Sequence, residues 1–153
     1  MRDPIEVKIE HSKAALDAFH RLDRAAASPR PAYLAIGEDL VLSTKRRFET
    51  STAPDGKRWA PNKATTLKRK KGNKPLIGDL SLLSQQIYYE LDANGLRIGS
   101  TREYAAMQHF GGTKSQYPNL WGDIQARPFL GVSDDDDQMI VNTVSEYLNK
   151  VIG

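Results

Sequence analysis

One stretch commits the chain to an antiparallel sheet. From Gln86 to Ser100, Ile87, Tyr89 and Leu91 alternate with polar neighbours, Asp92-Ala93-Asn94-Gly95 follows, and Leu96 and Ile98 alternate again. A period of two places each apolar set on one face of a strand, and Asn94-Gly95 is the pair that a tight hairpin turn favours. A second alternation, Ile5, Val7 and Ile9 against Glu6, Lys8 and Glu10, predicts another half-buried strand.

The other periodic segments are helical. Ala15, Leu16, Phe19, Leu22 and Ala26 predict a helix with Ser12 as its cap. Ser28-Pro29-Arg30-Pro31 ends it, because proline lacks an N–H and restricts its predecessor. Tyr33, Ile36, Gly37, Leu40, Val41, Thr44 and Phe48 then form the stripe of a second helix from about Ala32. Its last turns carry Lys45, Arg46 and Arg47, which suit the negative end of the helix dipole. Asp79 to Ser84 reads as one or two helical turns, and Glu103 to Phe110 as a short helix stopped by Gly111-Gly112. Arg127-Pro128 favours an extended Ile124–Leu130. Ser133 caps a last helix with Ile140, Val144, Tyr147, Leu148 and Val151 as its buried stripe. The expected fold is α+β: a helical hairpin and a C-terminal helix packed on a small antiparallel β-sheet, with a long basic loop, as one domain over residues 1–153.

That loop, residues 51–75, begins with the turn signal Pro54-Asp55-Gly56 and ends in Lys68-Arg69-Lys70-Lys71-Gly72-Asn73-Lys74-Pro75. A short helix over Thr65–Lys71 fits within it. Loops longer than roughly 15 residues without structure of their own are usually functional. Charge gathers here. Thr44–Lys74 holds eleven bases against Glu49 and Asp55, a balance of +9, so the rest of this +3 chain carries −6. The last segment opens on Asp134-Asp135-Asp136-Asp137 and has Lys150 as its only base. Such polarity directs contacts. The bases Lys68, Arg69, Lys70, Lys71 and Lys74 read as a solvated loop, as a nucleic-acid contact, or as a contact for an acidic patch such as Asp134–Asp137 of a neighbouring copy. Trp59, next to Lys57-Arg58, reads as an anchor of the loop to the core or as a stacking platform for a base.

Little points to catalysis. Without cysteine there are no disulfides, thiolate metal sites or cysteine nucleophiles. His11, His20 and His109 follow no metal-ligand spacing, Gly111-Gly112-Thr113 lacks the strand and lysine of a phosphate loop, and no serine sits in a nucleophile elbow. The four aspartates do not have the spacing of a calcium loop. No cofactor or metal site is read, and a non-enzymatic protein is expected. An acid–base enzyme built on His109 and an aspartate ranks last. Met1 to Glu6 has no apolar run, so no secretory leader is expected, and the longest apolar stretches fall far short of the ~20 residues of a membrane helix, so no membrane span is expected. In Ala126-Arg127-Pro128-Phe129-Leu130-Gly131, Phe129 and Leu130 fill the core while Gly131 relieves the turn before Ser133. Arg127, the lone charge of that corner, has two equal readings: a locking salt bridge or a subunit contact.

The order of these motifs carries a resemblance. Phe48, Pro54-Asp55-Gly56-Lys57-Arg58-Trp59-Ala60-Pro61 and Pro75-Leu76-Ile77-Gly78-Asp79-Leu80 form its first part. Ile98-Gly99-Ser100, Tyr104-Ala105, Gln108-His109-Phe110-Gly111-Gly112 and Ala126–Gly131 complete it. From about Ile5 to Tyr147 the chain resembles the Mu-like phage virion morphogenesis family, grouped with the tail completion and neck proteins of contractile-tailed phages. It departs where members often read Leu-x-x-Thr-Gly-x-Leu, having Leu76-Ile77-Gly78-Asp79-Leu80 instead. The resemblance implies a structural assembly protein of the virion, made in the bacterial host cytoplasm and sited at the head–tail junction or tail end. It implies a homo-oligomeric ring, roughly six copies in size, that meets tail tube, connector or terminator proteins and contacts genomic DNA in the channel. A capsid assembly factor and a sequence-independent DNA-binding module are the alternatives. Trp59, Tyr104, Gly111, Gly112, Arg127, Pro128, Phe129 and Leu130 carry the family motif.

Overall fold

The computed structural model describes residues 13–25, 28–69, 72, 74–76, 82–92, 95–102, 104–120 and 122–152. The strand expected at Ile5–Glu10, the Ser12 cap and the Asp79 cap lie outside these residues. The elements run α1 (Lys13–Ala25), α2 (Arg30–Thr50), α3 (Ala64–Arg69), α4 (Leu82–Gln85), β1 (Ile87–Asp92), β2 (Gly95–Ser100), α5 (Ala105–Phe110) and α6 (Asp134–Ile152). The architecture is the expected α+β, with helices around a two-stranded antiparallel sheet.

α2 is the spine. It starts two residues earlier than expected, with Pro29 at the N-cap position and Pro31 in the first turn. Proline is tolerated there because the first N–H groups have no intrahelical acceptor in any case. The N-terminal half of α2 gives Ala32, Ile36 and Leu40 to a core shared with Ala15, Ala18 and Leu22 of α1 and Ile140, Val144 and Leu148 of α6. Its far end gives Phe48 to a second core with Trp59, Leu83, Ile87, Ala105, Phe129 and Leu130. Phe48 and Phe129 are fully buried, with ring centroids 5.3 Å apart. Each large apolar side chain buried in this way contributes about 1.5–3 kcal/mol.

α1 packs along α6, and it meets α2 through the stacked rings of Phe19 and Tyr33. The Tyr33 hydroxyl donates to Asp23 at 2.8 Å, and that of Tyr147 to the Ser28 carbonyl. These bonds close the helical hairpin and tie α6 across its turn. Two stripe assignments need correction. Leu16 and Val151 are about half exposed, whereas Ala15, Ala18 and Leu22 of α1 and Ile140, Val144 and Leu148 of α6 are buried.

The hairpin pairs Ile87 with Ser100 and Tyr89 with Ile98. It also pairs Asp92 with Gly95, so Gly95 is the first paired residue of β2 rather than part of the turn. One face lies on α2. There Tyr89 covers Gly37 so closely that a Cβ on Gly37 would sit 2.4 Å from the ring. The Tyr89 hydroxyl then donates to Glu38 at 2.9 Å.

Candidate functional site

The site is the corner where the loop after α2 is fastened beside the entry to α6. Its deepest part is polar. Ser133 and Asp136 form a reciprocal capping box. The Asp136 N–H donates to Ser133 Oγ, and the Ser133 N–H donates to Asp136 Oδ2, both at 3.0 Å. The same carboxylate oxygen accepts from Arg47 Nη2, and both side chains are almost fully buried. Arg47 Nη1 also donates to the carbonyls of Phe129 (2.8 Å) and Gly131 (3.2 Å). One guanidinium thus joins α2, the 126–131 segment and α6. Burial lowers the Arg47 pKa, and Asp136 offsets part of that shift. Arginine keeps its charge under such conditions.

The loop is not structureless. Thr52 bridges Arg58 around a tight turn in which Gly56 takes φ +87° and donates to the Ala53 carbonyl at 2.9 Å. Trp59 then inserts into the second core, edge-on to Phe48, and its indole N–H donates to the Pro128 carbonyl at 2.7 Å. The anchor reading of Trp59 is therefore the observed one. Pro54 packs on Gly131, where φ is +151° and a Cβ would lie 2.7 Å from the proline ring. Arg127 completes the fastening. Its Nε donates to the Ala60 carbonyl at 2.8 Å and Nη2 to the Pro61 carbonyl at 2.9 Å. Among the described residues Arg127 meets no carboxylate, so it locks the loop through backbone oxygens instead of a salt bridge. Lys63 Nζ donates to the Asp123 carbonyl at 2.7 Å, and α3 starts at the next residue.

α5 supports the corner from below. Gly111 caps it at φ +73°, so close to residues 124–126 that a Cβ would lie 2.6 Å from the Ala126 nitrogen. Gly112 bridges Ile124. His109 is buried, and its Nδ1 accepts the N–H groups of Phe129 (3.3 Å) and Leu130 (3.4 Å). Burial lowers its pKa to about 4. The side chain is thus a neutral acceptor for two backbone amides, and among the described residues no aspartate is one of its hydrogen-bond partners.

The structure gathers Trp59, Gly111, Gly112, Arg127, Pro128, Phe129 and Leu130 into this one corner. Tyr104, just ahead of α5, is 43% exposed. Of the loop bases, Lys68 and Lys74 are exposed and Arg69 ends α3, while Lys70 and Lys71 lie outside the described residues. The acidic run divides. Asp134 and Asp135 are exposed and Asp137 is half-buried, but Asp136 is buried on Arg47 and is not part of a surface patch. Arg47 is likewise an internal partner and not a helix-end base facing solvent. Both assignments had a sequence signal. Arg47 follows Leu40 and Thr44 at helical spacing, and Ser133-x-x-Asp136 is a capping-box pattern.

Among the described residues no three His, Asp or Glu side chains gather as metal ligands. Within those residues no helix is long and apolar enough to cross a membrane. The sequence pattern of the phage virion morphogenesis family matches residues 10–149. The chain belongs to that family. The Mu-like prophage FluMu G protein 2 of Haemophilus influenzae is 28% identical over 148 residues, covering 97% of this chain and 99% of the relative. A protein of Escherichia phage Mu named "Putative capsid assembly protein G" is 26% identical over 153 residues, covering 97% and 95%. No solved structure matches the chain significantly. Family membership gives this virion morphogenesis protein a structural role in phage assembly.

Proposed function

We propose that this virion morphogenesis protein completes the tail or neck of a tailed phage and makes it competent for head joining, acting as a homo-oligomeric ring. The observation that carries the reading is the fastening of the basic segment. Trp59, Lys63 and Arg127 hold residues 59–63 to the body of the protein, and Lys68 stands exposed on the short helix that follows. A base presented from a fixed mount suits a contact made at a set place in an assembly. In a heterologous ring each subunit offers one face to a different face of the next. The loop then meets either DNA in the lumen or exposed acids such as Asp134 and Asp135 of a neighbour.

The test reverses the four loop charges together: Lys68→Glu, Arg69→Glu, Lys70→Glu and Lys71→Glu. Particles assembled with this variant are counted by electron microscopy. Filled heads and finished tails that stay separate are the expected outcome, and normal joining would sink the proposal. A second reading, head assembly, is favoured by the printed name of the phage Mu relative. It predicts malformed or missing heads in the same micrographs. A stand-alone DNA-binding module predicts instead a monomer whose DNA affinity falls steeply with salt.

A further inference from the structure

Four large apolar side chains stand exposed on three adjoining stretches of this chain. α5 buries Ala105 and His109, and its other side carries Tyr104, Met107 and Phe110 at a spacing of three, which puts them in one row. Phe110 is 60% exposed. The turn after α5 adds Tyr117, 49% exposed, beside Met107: a Cβ on Gly112 would lie 2.5 Å from Met107 Sδ and 3.1 Å from the Tyr117 ring. α3 adds Leu67, 45% exposed, one helical turn beyond Lys63. The three stretches are tied together. Lys63 Nζ donates to the Asp123 carbonyl at 2.7 Å, and Asp123 Oδ1 accepts the Lys114 N–H at 2.8 Å. Within the turn, the Tyr117 N–H donates to the Thr113 carbonyl at 2.9 Å, and Thr113 Oγ1 donates to Gln116 Oε1 at 3.2 Å. Side chains on so well bonded a frame lose little freedom on binding, which is how preorganised surfaces gain affinity.

The charges beside these side chains are positive. Lys68 and Lys114 are exposed, and among the described residues neither pairs with a carboxylate. An apolar, aromatic centre with a charged rim is the make-up of a protein interface, whereas duplex DNA is met mainly by basic and hydrogen-bonding groups along its phosphates. The same chain offers the complement. Asp134 and Asp135 are exposed at the start of α6 and pair with no base among the described residues. α2 brings Leu42, 52% exposed, to that end of the molecule: its neighbour Ser43 accepts from Arg47 Nη2 at 3.3 Å, and Arg47 in turn holds Asp136. We propose that α3, the 113–120 turn and α5 form one docking surface, and that its occupant is the acidic start of α6 in a second copy. The inference rests on the ring reading and names its contact as protein rather than DNA. One face of each copy meets a different face of the next, which is the heterologous geometry of a ring.

Sedimentation of the full chain at low salt, over a range of protein concentrations, tests the surface. Leu67→Ser with Phe110→Ser is expected to raise the Kd of self-association on the order of tenfold, as loss of interface anchors does. Lys68→Glu with Lys114→Glu is expected to leave monomers, and so is Asp134→Lys with Asp135→Lys. Each of these two charge variants keeps one face intact. Mixed in equal amounts they are expected to associate again, which also shows that both are folded. Mixed variants that stay monomeric overturn the proposal. Self-association that Leu67→Ser with Phe110→Ser leaves unchanged overturns it too, and then the ring stands with its contact elsewhere. A short DNA duplex is the competing occupant. Duplex binding that is lost in Lys68→Glu with Lys114→Glu, while that variant still self-associates, assigns the surface to nucleic acid and overturns the proposal. An unsubstituted chain that is monomeric throughout removes the ring reading and this contact with it.

Discussion

Asp136 is third in a run of four aspartates, and its position in the first turn of α6 sets it apart from the others. It receives the Ser133 amide and faces Arg47, where both charges are out of water. Removing one partner of such a buried pair leaves an uncompensated charge and costs about 3–5 kcal/mol, whereas replacing both with apolar residues is often near neutral. Asp136→Ala is therefore expected to lower the urea midpoint strongly. Arg47→Met with Asp136→Leu is expected to recover much of the loss, less the two carbonyl bonds that Arg47 also makes. Urea titration of the single and double variants measures the coupling. His109 makes a prediction with a sign. Its pKa is about 4 when folded and about 6.5 when unfolded. Between those values the unfolded chain binds the extra proton, so stability falls as pH drops from about 6.5 toward 4 and is level above 6.5. Thermal melts across that range measure the slope, and His109→Gln is expected to flatten it.

At the scale of elements, α2 shows how packing overrides local preference. A glycine in mid-helix costs about 1 kcal/mol relative to alanine. Gly37 is nevertheless required, because the Tyr89 ring takes the volume that a Cβ would need. Gly37→Ala is thus expected to destabilise by about 1–3 kcal/mol, as overpacking does, and calorimetry would show the lower melting temperature. A more stable protein would mean that Tyr89 moves aside freely. The sequence announced the hairpin, the three long helices and the Gly111-Gly112 stop, because each rests on a short-range period or a local turn. It also marked the corner through Trp59 and Ala126–Gly131. What it did not announce were the partners. Nothing local says that Arg127 reaches the carbonyls of Ala60 and Pro61, or that Arg47 looks inward to a residue 89 positions away. Those contacts exist only once α2, α5 and α6 have met. α2 also begins before its apolar stripe suggests, since Pro31 is a breaker in mid-helix but compatible with a first turn.

Across the whole molecule, one helix serves two cores, with the α1–α6 layer at one end of α2 and the clasped corner at the other. The proposed ring makes a prediction at this scale. If basic loops meet the exposed Asp134 and Asp135 of neighbours, assembly should weaken as salt screens them. Sedimentation at several protein concentrations is expected to show a mass that rises with concentration at low salt and falls toward the monomer at high salt. A monomer at every salt concentration would count against the ring. The fastening of the loop has an evolutionary consequence too. Trp59 and Arg127 bind main-chain oxygens at Pro128, Ala60 and Pro61. Every amino acid offers that same oxygen. The fastening thus sets no requirement on the side chains at Ala60, Pro61 and Pro128, and substitution there would leave its three acceptors in place.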